Sequence, residues 1–148
     1  MILLCGGHVP TENKFMQMIR LKDRIQGFEG IVIGISAGSM NCAKTVYATP
    51  ELKGEAVDPN YERYIEGLGL TDINVLPHLQ YIKTVTLDGM NMVEDIAFED
   101  SKKKEIYGLV DGSYILVKDG KSILYGEAYL IKDGKMEQIC ENGKKSEI

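Results

Sequence analysis

Tryptophan is absent from this chain, and cysteine and histidine are scarce, with three and two copies in 148 residues. Cys5, Cys42 and Cys140 are widely spaced and form no CxxC pair. Two histidines are too few to complete a structural metal site with them, so we expect reduced thiols and no bound metal.

Two other features are missing, an excess of positive charge and a long apolar run. The formal net charge is −5 and both signs are mixed along the chain, so no basic stripe is available for nucleic acid. No segment approaches the roughly 18 apolar residues of a membrane helix. The apolar start, Met1 to Leu4, runs directly into Cys5-Gly6-Gly7-His8, unlike a signal peptide. We expect a cytoplasmic protein without nucleic-acid or membrane partners.

The composition that is present is ordinary for a globular protein, with 44% hydrophobic and 26% charged residues. The length suits a single domain, residues 1–148, around one hydrophobic core. In the first half, continuous apolar runs alternate with amphipathic segments, which is typical of a doubly wound α/β sheet. The predicted elements are a strand at 1–5, a helix at 12–25 that Thr11 caps and Gly27 ends, a strand at 30–35, a helix at 36–47 and a strand at 72–76.

The second half changes character after a predicted helix at 87–96 and a charged surface segment at 99–105. Asp119-Gly120 and Asp133-Gly134 each lie between two β-rich runs, and Asp-Gly in that setting is a strong signal for a β-hairpin. The charged tail, 141–148, is predicted to fray. The paired runs are 114–117 with 122–125, and 128–131 with 136–139.

Gly34-Ile35-Ser36-Ala37-Gly38 is a GxSxG sequence between a predicted buried strand and a predicted helix. In a nucleophile elbow, the serine lies on a strained strand-to-helix turn, with small residues two positions before and after it. Gly34 and Gly38 meet that requirement, and the Ala37 N–H at the helix start is placed to stabilise an oxyanion. The pattern favours Ser36 as a nucleophile over the alternative of a plain glycine-rich link.

Two further strand ends supply candidate partners for Ser36. Ligands of open α/β sheets bind beyond the carboxyl ends of the strands, where Gly7, His8 and His78 also lie. Gly7 is a candidate for the second oxyanion donor, because glycine lets a backbone amide approach closely. His78 is preferred over His8 as general base, because the loop that carries His8 is needed for the oxyanion hole.

The acid that would orient the base is left open by these patterns. The candidates are Asp111, Asp88, Asp58 and Glu51. Asp111 lies in Leu109-Val110-Asp111-Gly112-Ser113, just after a short apolar segment. The alternative for this segment is that Asp111-Gly112 forms a third hairpin turn.

Together these motifs resemble the peptidase S51 family, which includes aspartyl dipeptidase (dipeptidase E) and cyanophycinase. The similar features are a GG loop after a strand, a later GxSAG, a strand ending in Pro77-His78, and the Leu-x-acid-Gly-Ser segment at 109–113. The resemblance extends from Leu3 to about Leu130, nearly the whole chain.

The resemblance implies a three-layer, doubly wound, mostly parallel α/β sheet similar to class I glutamine amidotransferases, here with C-terminal β-hairpins. It implies that Ser36 is the nucleophile and His78 the base, and that the amides of Gly7 and Ala37 form the oxyanion hole. Asp111 takes the place of an acid that is commonly Glu, and the shorter side chain is expected to reach His78 by a backbone shift or through water. No cofactor is implied.

We therefore expect a serine peptidase that cleaves a small peptide or peptide-like amide through an acyl-enzyme. One alternative is an esterase-type acyl hydrolase, since the same groups cleave esters. The other is a catalytically inactive, truncated relic that serves as a binding or assembly module.

Two departures from the family pattern lead to further expectations. Aspartyl dipeptidases carry an arginine-containing stretch after the catalytic His, whereas Thr86 to Asp95 has no Arg or Lys to pair with a substrate carboxylate, so Asp-X specificity is not expected. Family members also have several more elements before the GG loop. The chain is thus expected to be a shortened form or a fragment, and a homo-oligomer in which a second copy covers the first strand.

Overall fold

The apolar runs near the start of the chain form a parallel pair of strands. In the computed structural model, which describes residues 1–148, β1 (Ile2–Leu4) pairs with β2 (Val32–Gly34), and Leu4 lies opposite Gly34. Two helices connect the strands, α1 (Val9–Met18) and α2 (Leu21–Ile25). This is the strand–helix–strand unit of α/β proteins.

The helix predicted at 12–25 begins earlier and is interrupted. His8, not Thr11, occupies the N-cap of α1, and Pro10 fits the first turn because that position needs no N–H donor. Arg20 has a left-handed backbone, with φ of 53°, and separates α1 from α2. Gly27 has φ of 75° and follows the end of α2, so the predicted stop is confirmed.

The helix that follows Ser36 is much shorter than predicted. This helix, α3 (Ala37–Asn41), ends at Asn41, and the β-branched and aromatic residues Thr45 to Tyr47 form a strand instead. This strand, β3 (Thr45–Tyr47), is antiparallel to β4 (Tyr64–Glu66). The segment predicted to be irregular, 48–60, contains neither helix nor strand.

The contacts of the chain group into two compact units that alternate along the sequence. The first consists of Met1–Thr49 and Glu62–Asn74, and the second of Pro50–Tyr61 and Val75–Ile148. The single domain over 1–148 stays a prediction. In the first unit, one face of the β1–β2 pair packs on a small core formed by Leu4, Met16 and Leu68 with Ile2, Leu21, Val32 and Cys42.

The second unit contains a mixed four-stranded sheet and a three-stranded antiparallel sheet. Its elements are β5 (Val75–Leu76), α4 (Leu79–Ile82), β6 (Thr86–Leu87), β7 (Met90–Asn91), a π-helical segment (Met92–Ala97), α5 (Phe98–Asp100), β8 (Ile106–Leu109), β9 (Tyr114–Lys118), β10 (Lys121–Tyr125), β11 (Ala128–Lys132), β12 (Lys135–Cys140) and β13 (Lys145–Glu147). In the larger sheet the strand order is β12-β11-β8-β5, with β5 and β8 parallel; in the smaller sheet it is β13-β10-β9.

The prediction of a helix over 87–96 is wrong for its first half. Asp88 and Gly89 both have positive φ, at 51° and 84°, and turn the chain into the β6–β7 hairpin. The π-helical segment begins only after Asn91, whose side-chain oxygen accepts hydrogen bonds from the amides of Val93 and Glu94. A side chain that caps the segment therefore fixes where it starts.

Both Asp-Gly hairpins are confirmed, and the tail is ordered. Asp119-Gly120 joins β9 to β10 and Asp133-Gly134 joins β11 to β12, each with the two positive φ values of a type I′ turn. The prediction of a frayed tail is wrong, because β13 pairs with β10 and places Ser146 opposite Leu124. Charged residues alternate with half-buried ones in this strand, which a composition argument does not detect.

The chain thus has a mixed α/β fold with both parallel and antiparallel strands, and the predicted class is confirmed at that level. Its helices are short, the longest being the ten residues of α1. None of them is long and apolar enough to cross a membrane.

Candidate active site

Ser36 lies on a sharp turn between β2 and α3. Its backbone has φ of 54° and ψ of −125°, a conformation that non-glycine residues rarely adopt and that costs on the order of 1–3 kcal/mol. The Ser36 carbonyl accepts hydrogen bonds from the amides of Ser39 and Met40, at 2.9 and 3.2 Å, and from the Ser39 hydroxyl at 2.6 Å. These bonds hold the strained turn in place.

Gly34 and Gly38 lie where the elbow leaves no room for a side chain. A Cβ atom on Gly34 would be 2.6 Å from the Cα atom of Ser39. A Cβ atom on Gly38 would be 2.3 Å from the carbonyl oxygen of Leu4, at the end of the neighbouring strand β1. Because both obstacles are backbone atoms, neither contact can be relieved by rotating a side chain. The GxSxG spacing is therefore required by packing around Ser36.

The glycine loop that follows β1 lies against the serine. Ile35 donates its N–H to the carbonyl of Leu4 at 2.9 Å, so β1 and β2 end side by side. A Cβ atom on Gly6 would be 3.0 Å from Ser36 Cβ and 3.4 Å from its Oγ, whereas one on Gly7 would meet nothing within 4 Å. Gly6 thus packs on Ser36, while Gly7, the predicted oxyanion donor, has open space beside it.

His8, the second candidate base, is committed to the start of α1. Its Nδ1 atom is 2.8 Å from the Thr11 hydroxyl, and its backbone carbonyl accepts the Glu12 amide at 3.0 Å. Both contacts are made within the first turn of the helix, so they indicate a structural role for His8.

His78 occupies the junction of β5 and α4 in a left-handed conformation, with φ of 58° and ψ of 33°. Its carbonyl accepts hydrogen bonds from the amides of Tyr81 and Ile82, which begins α4 directly at the histidine. The side chain leaves this turn toward Asp111, and His78 Nδ1 lies 2.6 Å from Asp111 Oδ1. A carboxylate at Nδ1 is the arrangement that orients the imidazole of a general base.

Strand pairing explains why these two residues meet. Because β5 and β8 are parallel, with Leu76 opposite Gly108, the segments that follow them leave the same edge of the sheet. A Cβ atom on Gly108 would be 2.8 Å from Leu79 Cδ2, so the glycine leaves room for the fully buried Leu79 side chain at the start of α4. No bridging water is needed, since Asp111 reaches His78 directly.

The other candidate acids have structural partners or lie elsewhere in the second unit. Asp88 accepts hydrogen bonds from the amides of Gly54, at 2.8 and 2.9 Å, and Ala56, at 3.2 Å. Asp58 accepts the Asn60 amide at 2.8 Å in a local turn. The alternative of a hairpin at Asp111-Gly112 is excluded, because β8 pairs with β5 and β11 whereas β9 pairs with β10.

Two contacts of the candidate site were not predicted from the sequence. Gly6, and not the predicted oxyanion donor Gly7, packs on Ser36. Gln80 accepts the Asp111 amide hydrogen bond at 3.1 Å, and its position two residues after His78 is the only sequence signal for that role. Ser36 belongs to the first compact unit and the His78–Asp111 pair to the second, so the pairing of Ser36 with His78 stays a prediction.

The chain has no group of three or more His, Cys, Asp or Glu side chains that could hold a metal ion. Comparison with known proteins then supplies a family. A family model described as Peptidase family S51 matches residues 3–125, which include Ser36, His78 and Asp111. No curated protein matches the chain.

Proposed function

This chain belongs to peptidase family S51 and is a peptidase-type hydrolase, and from that premise we propose that it cleaves a small peptide or peptide-like amide by serine catalysis. The proposed nucleophile is Ser36, the base is His78, and Asp111 orients the base. The observation that carries this proposal is the 2.6 Å hydrogen bond between His78 Nδ1 and Asp111 Oδ1, because it places a carboxylate where it can orient the imidazole of a general base.

In the proposed mechanism, Ser36 Oγ attacks the amide carbonyl carbon while His78 Nε2 takes its proton. The carbonyl oxygen becomes an oxyanion, which the amides of Gly7 and Ala37 stabilise. Collapse of this intermediate breaks the C–N bond, and the amine leaves with the proton from His78. Water then attacks the acyl-enzyme by the same route, which returns Ser36 and His78 to their initial states.

The strained turn at Ser36 supports the role given to this residue. Strained backbone persists where surrounding structure holds it, and such positions cluster at functional sites. Ala37 is the first residue of α3, and its amide is one of the donors that a helix start leaves without an intrahelical acceptor. We further propose the three-layer arrangement of class I glutamine amidotransferases, which the parallel pairs β1–β2 and β5–β8 support.

A fluorophosphonate probe tests the proposal, because only an activated serine reacts rapidly with it. We expect stoichiometric labelling of the intact chain at Ser36, located by mass spectrometry of the digested protein. Ser36→Ala should abolish labelling and amide hydrolysis while it leaves the melting temperature almost unchanged. Ser146→Ala, which removes a half-buried hydroxyl in β13, is the matched control and should react like the wild type.

A folded wild-type chain that does not react with the probe would contradict the proposal and leave a binding module as the function. Labelling together with cleavage of esters but not of amides would instead replace the peptidase assignment by an esterase. Hydrolysis that survives in folded Ser36→Ala would exclude Ser36 as the nucleophile.

A further inference from the structure

Gln80 follows His78 by two residues, and both side chains reach the same partner. His78 Nδ1 is 2.6 Å from the Asp111 carboxylate, and the Gln80 side-chain oxygen accepts a hydrogen bond from the Asp111 backbone amide at 3.1 Å. The residue between them, Leu79, is fully buried against Gly108 in β8. Helix α4 therefore holds Asp111 at two points while it is itself anchored on the strand that leads to Asp111.

We propose that Gln80 is a positioning residue that holds Asp111 in the orientation needed to fix the tautomer of His78. The inference rests on the proposed function, because that role has value only if His78 acts as a base. Gln80 has no titratable group, so it cannot act as the acid or base itself, and the contact through which it can influence His78 is the one to Asp111.

The exposure of the pair explains why a second anchor is needed. The side chains of His78 and Asp111 are 46% and 59% exposed, and a polar pair with this much contact with water contributes little to holding its own geometry. Asp111 also precedes Gly112, which has φ of 91°, in a turn closed by one backbone bond from Ser113 to Val110. A bond from Gln80 to the amide of Asp111 restricts the backbone on which the carboxylate is carried.

The length of the acid side chain gives Gln80 a specific task. An aspartate has one methylene and one side-chain torsion fewer than a glutamate, so it has less freedom to compensate when its backbone rotates away from the imidazole. The observed 2.6 Å bond requires that the backbone at Asp111 stay in place. Loss of Gln80 should therefore weaken the bond to His78 without unfolding the four-residue helix, which the buried Leu79 anchors.

Nitrogen NMR of the imidazole tests the inference in the intact chain and needs no enzymatic activity. Long-range proton–nitrogen correlations at a pH above the usual His range report which ring nitrogen carries the proton. His78→Ala and His8→Ala identify the two histidine signals. We expect the Nδ1–H tautomer to dominate at His78 in the wild type and to fall several-fold relative to the Nε2–H form in Gln80→Ala, as it does in Asp111→Asn.

Two further variants separate positioning from a general effect on the helix. Gln80→Glu keeps an acceptor oxygen at the same reach and should retain the wild-type tautomer ratio. Thr84→Ala removes the bond from the Thr84 hydroxyl to the Tyr81 carbonyl at the other end of α4 and should also leave the ratio unchanged. A wild-type ratio in Gln80→Ala, or an equal shift in Thr84→Ala or Gln80→Glu, would overturn the inference.

Kinetics add an independent readout. With a cleaved substrate in hand, Gln80→Ala should lower kcat by about tenfold or more with little change in KM, as expected for a group that acts only through the transition state. Gln80→Glu should restore much of the rate. If the tautomer shifts as expected but the wild type neither hydrolyses amides nor reacts with the fluorophosphonate, the positioning role stands and the proposed peptidase function fails.

Discussion

Two histidines compete for the role of general base, and their hydrogen-bond partners differ. His8 contacts the Thr11 hydroxyl at the start of α1, whereas His78 contacts a carboxylate. We expect His78→Ala to lower kcat/KM by several orders of magnitude, as loss of a triad member does, and His8→Ala to lower it by less than about tenfold. Steady-state rates of the two variants on one substrate, with circular dichroism to confirm folding, decide between them. The reverse ranking would move the base to the glycine loop.

Cys42 provides a prediction about pH and stability. Burial raises the pKa of its thiol from 9.0 to about 11, and the nearby Glu12 carboxylate adds to the increase. The folded state therefore binds the thiol proton more tightly than the unfolded state does. The resulting stability is present below pH 9 and is lost as the pH rises through about 11.

Urea denaturation at pH 8 and pH 10.5 measures this loss in the wild type and in Cys42→Ala. The wild type should lose on the order of 2 kcal/mol more than the variant between the two conditions. Other groups titrate in both proteins, so the difference isolates the thiol. Equal losses would mean that Cys42 is more exposed to water than its packing in the first unit indicates.

The sequence singled out Ser36 and His78, because each follows a recognisable strand, and it left the acid open among Asp111, Asp88, Asp58 and Glu51; the catalytic roles stay predictions. It did not show that Asp111 reaches His78 directly, since that distance depends on the register of β5 against β8. It also missed Gln80, whose role depends on the turn at Asp111 and on no local pattern.

At the scale of elements, the turn of the β6–β7 hairpin is hydrogen-bonded to the loop around Gly54, which belongs to the same unit. Both carboxylate oxygens of Asp88 accept the Gly54 amide and one also accepts the Ala56 amide. Asp88→Ala should therefore lower the free energy of unfolding by about 2–3 kcal/mol, because hydrogen bonds to charged groups are strong and the two amides lose their acceptor.

Asp119→Ala is the matched control for Asp88→Ala. Asp119 has nearly the same φ, 50° against 51°, at the same position of an Asp-Gly turn, so both variants suffer equal backbone strain from the alanine. Guanidinium denaturation should show the Asp119 variant to be destabilised by only about 1 kcal/mol. Equal losses would show that the Asp88 carboxylate contributes nothing beyond its turn.

The same hairpin leads to a prediction about specificity. The segment from Thr86 to Asp95 forms β6, β7 and the start of the π-helical segment, and it contains no Arg or Lys. We expect kcat/KM for dipeptides that begin with Asp to be within about a hundredfold of the values for Ala or Leu, which corresponds to less than roughly 2.7 kcal/mol. A larger preference would direct attention to Arg20, Arg24 and Arg63.

Element types with strong local signals could be read from the sequence, and those set by distant pairing could not. The Asp-Gly hairpins carry their own turn chemistry, and both are present as predicted. The predicted helix over 36–47 includes residues 45–47, but the pairing of these residues with 64–66 makes them a strand. The strand β13 is not predictable from local sequence for the same reason, since its charged residues form a strand by pairing with β10.

At the scale of the whole molecule, one face of the β1–β2 pair is exposed to solvent. Leu3 lies opposite Ile33, and their side chains are 51% and 39% exposed. We propose that a second copy of the chain covers this face, because its side chains carry no charge and two such faces meet without burying like charges. The exposed apolar residues in this region are Met1, Leu3, Ile31, Ile33 and Ile35.

Light scattering at micromolar concentration tests the association. The wild type should have the mass of a dimer or larger, and Ile33→Lys should reduce it to that of a monomer, because burying an unpaired ammonium is costly. Leu116→Lys is the control, since Leu116 is similarly exposed, at 46%, but lies in β9 of the second unit. A wild-type monomer that binds no hydrophobic dye would exclude the proposed interface.

The alternation of the two units along the chain sets an order for folding during synthesis. Every residue of the first unit precedes Val75, so the turn at Ser36 can form while the rest of the chain is still being translated. His78 can be fixed only after β8 and Asp111 have emerged from the ribosome, and the three-stranded sheet waits for residues 145–147. In the proposed mechanism, the nascent chain therefore carries a folded but unactivated serine, and translation itself delays the onset of hydrolysis.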